Sequence, residues 1–172
     1  MTVHCRRVAP GEAEAIASAL AALHHDAFRA GMALGMLESV GRDGLERSYL
    51  EAVAAVGRDR ALLVAEEEGE ILAMAQLVRS GAMNADHRAV VQRVAVADAA
   101  RGRGVGRELM ACIETTAGEL GITLLWLTTH EGSEACAFYE ALGYNKMGVM
   151  PAYSRRPDGN LSPGAFYYKE LG

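Results

Sequence analysis

The chain has 172 residues, 51% of them hydrophobic, and a formal net charge of −5. This length and apolar content predict one domain over residues 1–172 with a sizeable core, since domains commonly have about 100 to 200 residues. Basic residues are scattered outside residues 101–107, which argues against a nucleic-acid-binding face, and no run reaches the roughly 18 uncharged apolar residues of a membrane span.

The first half of the chain predicts a strand, two helical regions and a hairpin. A strand over residues 3–8 is followed by Pro10 and Gly11, which begin an alanine-rich helix that extends to about Ala30. Glycines interrupt the second helical region, which ends near Gly57. Residues 61–67 and 71–78 flank an acidic turn and predict a β-hairpin.

The second half predicts alternating strands and helices. Apolar residues along the helix predicted over residues 105–121 recur with a period of 3.6, which is typical of a helix packed on a sheet. Ser133 is the predicted cap of the next helix. The remaining elements are strands over residues 90–96, 122–128, 144–149 and 165–169, a helix over 134–142 and a turn over 157–160.

The three cysteines, Cys5, Cys112 and Cys136, are odd in number and far apart in the sequence. This pattern argues against a disulfide framework and against a metal site. Since no apolar run follows the first seven residues, no secretory leader is predicted. We therefore expect a cytoplasmic protein without a metal or a membrane anchor.

A glycine- and arginine-rich loop joins the strand at 90–96 to the following helix. Residues 101–106 read Arg-Gly-Arg-Gly-Val-Gly. Glycines let backbone N–H groups approach an anion, the helix N-terminus attracts negative charge, and the arginines add positive charge. The loop therefore predicts a binding site for a pyrophosphate. The alternative interpretation is a flexible connection between a strand and a helix.

Two common phosphate loops do not fit this segment. A P-loop requires Lys-Ser or Lys-Thr after its last glycine, where this chain has Arg107 and Glu108. A dinucleotide fingerprint requires glycine at position 107 and a place early in a βαβ unit. Neither requirement is met.

The remaining pattern, Arg-x-x-Gly-x-Gly after a strand, resembles the acetyl-CoA signature of the GNAT N-acetyltransferases. The segment FYEALGY at residues 138–144 resembles a second motif of that superfamily, in the expected order. The resemblance implies an α/β fold, a mixed central β-sheet with helices on both faces in the order βααβββαβαββ, and acetyl-CoA as cosubstrate. The implied cofactor-binding residues are Val94, Ala95, Val96, Arg101, Gly102, Arg103, Gly104, Val105, Gly106 and Arg107.

The same resemblance implies that the strands at 90–96 and 122–128 separate to admit the pantetheine arm. A bulge in the first strand would leave backbone N–H groups unpaired. The N–H of Val94 or Ala95 is then the implied donor to the thioester oxygen.

Tyr139, in the second motif, is the implied proton donor to the departing thiolate. The alternative role for Tyr139 is aromatic packing.

The general base that deprotonates the amine is harder to assign. Residues 71–172 resemble more narrowly an acetyltransferase that inactivates a β-lactam-containing toxin and has carboxylates on the two separated strands, where this chain has Val90 and Thr128. His130 is the hypothetical replacement, because a neutral imidazole accepts a proton near pH 7, although it can equally be an exposed loop residue.

Other residues are weaker candidates for the site. Glu131, Asp86 and His87 are alternative bases. His24, His25 and Asp26 are consecutive on a helix, about 100° apart, and cannot converge on a metal; we place them on the helix surface near the substrate entrance. Further candidates are Met32, Met36 and Phe28 as a substrate wall, and Tyr153, Arg155 and Arg156 as a grip on a substrate carboxylate.

The sequence therefore predicts an acetyl-CoA-dependent N-acetyltransferase acting on a small amine, such as an antimicrobial or amino-acid-like compound. Val90, Thr128 and Tyr153 are the predicted substrate contacts. The loop over residues 150–163 is expected to close the pocket. Acetylation of a protein N-terminus or lysine, and a catalytically silent CoA-binding regulatory module, stay open as alternatives. A homodimer is compatible with the sequence.

Overall fold

A computed structural model describes residues 2–172 of the chain. Its elements follow the predicted order βααβββαβαββ. The strands are β1 (His4–Arg7), β2 (Arg60–Glu67), β3 (Glu70–Arg79), β4 (Arg88–Val96), β5 (Leu124–His130), β6 (Asn145–Arg155) and β7 (Leu161–Glu170). The helices are α1 (Ala13–Arg29), α2 (Gly41–Ala54), α3 (Val105–Glu119) and α4 (Glu134–Ala141).

The strands form one mixed sheet in the order β1-β2-β3-β4-β5-β7-β6. The pairing of β4 with β5 is parallel, and the other pairings are antiparallel. Alternating apolar residues of β2 and β3 supply both faces: Leu63 and Ala75 pack against α3, whereas Leu62 and Met74 pack against α1 and α2. The predicted fold, with helices on both faces of a mixed sheet, is confirmed.

Pairing between β4 and β5 ends early, as the resemblance implies. Only Arg88, Ala89 and Val90 have partners on β5, the last pair being Val90 with Trp126. On its other edge β4 contains a bulge, because Met74 is opposite Ala95 while Gln76 is opposite Gln92. Arg93, at this bulge, has a φ of 54°, a left-handed backbone conformation that is uncommon outside glycine. The two strands therefore separate at the bulge.

One prediction about the C-terminal half is wrong, and another is confirmed in position only. Residues 150–163 are not a loop, because β6 continues to Arg155 and β7 begins at Leu161; the only connection is a short turn. Ser133 does occupy the N-cap position of α4, but its side chain makes no cap hydrogen bond. Instead, its hydroxyl donates to the carbonyl oxygen of His130 at 2.7 Å and ties the start of α4 to the end of β5.

The prediction that His24 lies on the helix surface is also wrong, because this side chain is fully buried. Its Nε2 lies 3.1 Å from the carbonyl oxygen of Ala33, which can only accept, so Nε2 carries the proton. Nδ1 therefore accepts from the hydroxyl of Tyr49 at 2.7 Å. This network joins α1 and α2 to the segment between them.

The burial of His24 predicts an acid-sensitive fold. Burial, followed by the charge of Arg93, lowers the pKa of His24 from 6.5 to about 4. Between these values the unfolded chain binds a proton that the folded chain does not, so the free energy of unfolding falls as the pH falls from 6.5 to 4, at up to about 1.4 kcal/mol per pH unit. Chemical denaturation across this range measures the slope. His24→Gln is expected to remove it, and an equal slope in this variant would contradict the assignment.

The three cysteines are free. The thiols of Cys5 on β1 and Cys112 on α3 lie close together although they are distant in the sequence, and burial raises the pKa of Cys5 to about 12. Within residues 2–172, no helix is long and apolar enough to cross a membrane.

Candidate active site

A cavity of about 790 Å³ opens where β4 and β5 separate. Its walls are the separated strands, the segment between α1 and α2, α4 and the outer part of β6. This volume is in the range of sites that bind small molecules. The split in the sheet therefore creates a pocket where a packed sheet would have none.

The cavity brings together six of the predicted site residues, which are Val90, Val94, Thr128, His130, Tyr139 and Tyr153. Met32 and Met36 also line the cavity, as predicted for a substrate wall, but Phe28 is in the core beside His24. The side chain of Ala95 is buried in the core under α1 and α2. Residues far apart in the sequence thus meet at one end of the separated strands.

Tyr139 is almost completely buried and belongs to an aromatic cluster. Its ring lies edge-on to those of Phe138 and Tyr144, with centroids 5.3 Å and 5.8 Å away. None of residues 2–172 forms a hydrogen bond with its hydroxyl, whereas the hydroxyl of the neighbouring Tyr167 donates to Glu140 at 2.9 Å. Burial raises the pKa of Tyr139 well above 10, so the hydroxyl stays protonated and available as a donor.

His130 ends β5 at the cavity wall. Burial, followed by the charge of Arg156, lowers the pKa of His130, so its ring is neutral near pH 7. The three alternative bases do not line the cavity. Asp86 and His87 precede β4, away from the cavity, and the carboxylate of Glu131 is paired with Lys146 at 2.9 Å.

The loop before α3 has the backbone that the glycine pattern predicts. Gly102 and Gly104 have φ values of 73° and 85°, and a Cβ on either residue would have no heavy atom within 4 Å. Gly104 is the N-cap of α3, and its position makes no side-chain cap hydrogen bond. The first N–H groups of α3 have no partner within the helix, so they are free to bind an anion. The free N–H groups and the open space at the glycines therefore allow a pyrophosphate to bind at this loop.

The arginine side chains of this loop supply less free positive charge than the sequence predicts. Arg101 is paired with Asp98 at 3.1 Å and Arg103 with the buried carboxylate of Glu67 at 2.7 Å, so much of their positive charge is already balanced. A Cβ on Gly106 would lie 3.3 Å from the ring of Phe138, so this glycine also allows α3 to pack closely. The unpaired backbone N–H groups are the more prominent anion-binding feature of the loop.

Sequence analysis missed Gln92 and Arg93, which line the cavity at the bulge. The amide of Gln92 donates to that of the buried Gln76 at 3.2 Å, and Arg93 donates to Ser48 at 3.3 Å. A signal was present, since two consecutive polar residues in the apolar run VVQRVAV break the alternation of a strand. No cluster of three or more His, Cys, Asp or Glu side chains among residues 2–172 could hold a metal ion.

Comparison with known proteins identifies the family to which this fold and site belong. Residues 20–144 match the family model described as "Acetyltransferase (GNAT) family". Ribosomal-protein-alanine N-acetyltransferase from Brucella melitensis is 25% identical, with a TM-score of 0.78 over 98% of this chain and 99% of that one.

Two further solved structures share the fold at lower identity. An N-acetyltransferase from Staphylococcus aureus Mu50 is 17% identical, with a TM-score of 0.80 over 100% of both chains. A putative acetyltransferase from Salmonella typhimurium, solved with its cofactor acetyl-CoA, is 18% identical, with a TM-score of 0.77 over 100% of this chain and 95% of that one. The separated strands and the anion-binding loop described above are thus those of an acetyl-CoA-dependent acetyltransferase, and the chain belongs to the GNAT family.

Proposed function

We propose that the protein transfers the acetyl group of acetyl-CoA to the amine of a small molecule. The observation that carries this proposal is the shape of the acceptor cavity. The segment between α1 and α2 borders it on one side, and Tyr153 and Arg155 of β6 border it on another. Walls of this kind suit a compact acceptor, whereas a polypeptide needs an open groove.

The protein's own groups can meet the chemical requirements of amide formation. Acetyl-CoA supplies the activated acetyl thioester. The loop at residues 101–107 would bind its pyrophosphate, and the backbone N–H of Val94, which has no partner in the β3 register, would donate to the thioester oxygen as negative charge develops there. Tyr139 would donate its phenolic proton to the departing sulfur. Because the thiolate is more basic in a water-poor site, a nearby donor lowers the barrier.

The acceptor amine must lose a proton, and no carboxylate lines the cavity in the part of the chain that the structure describes. His130 is the proposed acceptor of that proton, directly or through a water molecule.

This role predicts a pH profile. Since the pKa of His130 is below 6.5 and only the neutral ring accepts a proton, kcat/KM should rise with pH through an apparent pKa below 6.5. His130→Ala is expected to remove this limb for a strongly basic acceptor and to leave an acceptor that is already neutral unaffected. Initial rates from about pH 5 to 9 measure the effect, with His87→Ala as the control. An unchanged profile in His130→Ala would exclude the role.

The proposed acceptor class can be tested by measuring thiol release from acetyl-CoA with a panel of acceptors. The panel holds amino acids, amino-acid-like antimicrobials, simple amines and short peptides with free N-termini, and mass spectrometry identifies the acetylated product. We expect turnover with small amines and much lower kcat/KM with peptides. Turnover with peptides and with none of the small amines would overturn the proposal.

The second candidate is acetylation of a protein N-terminus. The observation that favours it is the 25% identity to a ribosomal-protein-alanine N-acetyltransferase, and alanine-terminated peptides in the panel test it.

A finer version of the main proposal is the activity of the tabtoxin resistance protein, which residues 71–172 resemble. Val90 and Thr128 stand where that protein has carboxylates, so toxin acetylation requires a direct measurement with the toxin.

A further inference from the structure

The cavity has an unbalanced positive charge. The residues that line it include the guanidinium groups of Arg93 and Arg155 and include neither Asp nor Glu. The chain as a whole has a net charge of −5, so this local excess does not follow from its composition. A water-poor pocket strengthens the attraction of such charges for an anion.

Arg93 has no charged partner. This side chain is half-buried, its Nη1 donates to the neutral hydroxyl of Ser48 at 3.3 Å, and its guanidinium lies 5.3 Å from the ring centroid of Tyr49. Within residues 2–172, no carboxylate forms an ion pair with it. By contrast, the half-buried Lys169 is paired with Glu114 at 2.8 Å, and the exposed Arg103 is paired with Glu67 at 2.7 Å. Partial burial of a guanidinium without an ion-pair partner lowers the stability of the fold unless a ligand supplies the opposite charge.

The position of Arg93 is fixed from two directions. Its backbone is held at a φ of 54° by the bulge, a conformation that costs about 1–3 kcal/mol and persists where the surroundings impose it. The ring of Tyr49, which the guanidinium contacts, is held in place by the hydrogen bond between its hydroxyl and His24. His24 is held in turn by its hydrogen bond to the carbonyl oxygen of Ala33. Ala33 lines the cavity. This chain of contacts joins the guanidinium to a second residue that lines the pocket.

Arg155 supplies a second guanidinium from β6. Its Nη1 donates to the carbonyl oxygen of Gly159 at 2.9 Å within the β6–β7 turn, which leaves its other donors available. None of residues 2–172 forms a carboxylate pair with this side chain. The two cationic side chains thus border the same cavity from different strands.

We propose that Arg93, assisted by Arg155, binds an anionic group on the acceptor, so that the preferred substrates are small amines that also carry a carboxylate, a phosphonate or a phosphinate. This inference rests on the proposed function and narrows its substrate class. The anion neutralises the guanidinium groups, and the amine of the same molecule is then held at a fixed distance from them. Arg93 is in this sense a specificity-determining residue.

The test compares matched acceptors on the intact protein. Each amino acid is paired with its amide, and each aminophosphonate with its diethyl ester, so that the second member of each pair lacks the anionic charge; the two series distinguish a carboxylate from a phosphorus oxyanion. We expect the wild type to have a KM for the anionic member that is about 10- to 100-fold lower, the range of a charge-assisted hydrogen bond. Arg93→Gln should abolish that difference by raising the KM of the anionic member, with kcat largely kept, and Arg93→Lys should restore part of it.

Two further variants control for folding and for general charge effects. Arg93→Gly removes the side chain at a left-handed position that glycine adopts without strain, so it should fold and should lose anion preference as Arg93→Gln does. Arg88→Gln, at the exposed start of the same strand, should keep the wild-type preference.

Three results would overturn the inference. The first is a wild type that prefers the neutral member of each pair, in which case the small-molecule function stands and only the inference fails. The second is an Arg93→Gln variant that lowers activity equally for both members, which would make Arg93 structural. The third is a wild type that acetylates peptides and no small amine, in which case the proposed function fails first.

Discussion

Replacing Tyr139 by phenylalanine is expected to lower kcat by about 10² or more while leaving the affinity for acetyl-CoA unchanged. The substitution keeps the aromatic ring among Phe138, Tyr144 and Tyr167 and removes only the hydroxyl. Because that hydroxyl has no hydrogen-bond partner within residues 2–172, its loss leaves no other buried group unpaired. Steady-state kinetics with a good acceptor, together with calorimetric titration of acetyl-CoA, measure the two effects.

Tyr144→Phe is the matched control for this experiment. The hydroxyl of Tyr144 is also buried without a partner in the described chain, but this residue does not line the cavity. We expect Tyr144→Phe to keep kcat and to have equal or higher stability, since it removes an unsatisfied polar group. A fall in kcat of less than about threefold in Tyr139→Phe would assign Tyr139 to aromatic packing alone.

Replacing Gly104 by valine is expected to weaken acetyl-CoA binding at least tenfold, which corresponds to about 1.4 kcal/mol. The side chain would occupy the space next to the free N–H groups at the start of α3, and a β-branched residue is strained at a φ of 85°. Titration calorimetry measures the affinity, and thermal unfolding separates a loss of binding from a loss of folding.

Gly121→Val controls for backbone strain in this comparison. Gly121 follows the other end of α3, with a φ of 72°, and a Cβ on this residue would likewise have no heavy atom within 4 Å. We expect the substitution to lower the melting temperature by a similar amount and to leave acetyl-CoA affinity intact. A folded Gly104→Val variant with wild-type affinity would remove the loop from the cofactor site.

The elements that local pattern determines are those that the sequence predicts well. Two apolar runs around an acidic turn predict the β2–β3 hairpin, the 3.6-residue period predicts α3, and the glycine spacing predicts the loop at Gly102 and Gly104. Each of these signals arises from neighbouring residues on one element. The separation of β4 from β5 is different, since it was expected only from the resemblance to a family.

The failures concern residues whose surroundings come from distant parts of the chain. His24 is polar in the sequence, and only the packing of α2 and Ala33 around it shows that it is a buried, neutral side chain. The outer part of β6 has almost no buried side chain and hence no alternation, so its continuation to Arg155 could not be predicted. The lack of a carboxylate beside Arg93 is likewise a property of the folded cavity and cannot be derived from the residues near it in sequence.

The early end of pairing between β4 and β5 also makes the stability of the protein depend on its ligand. Beyond Val90 and Trp126, each strand has one edge whose N–H and C=O groups lack a neighbouring strand. The amide groups of a pantetheine arm can satisfy such an edge, and at about one hundred times Kd a bound ligand stabilises the folded state by about 2.7 kcal/mol. A variant that binds acetyl-CoA poorly will therefore unfold more readily at a given acetyl-CoA concentration, even where its own packing is unchanged.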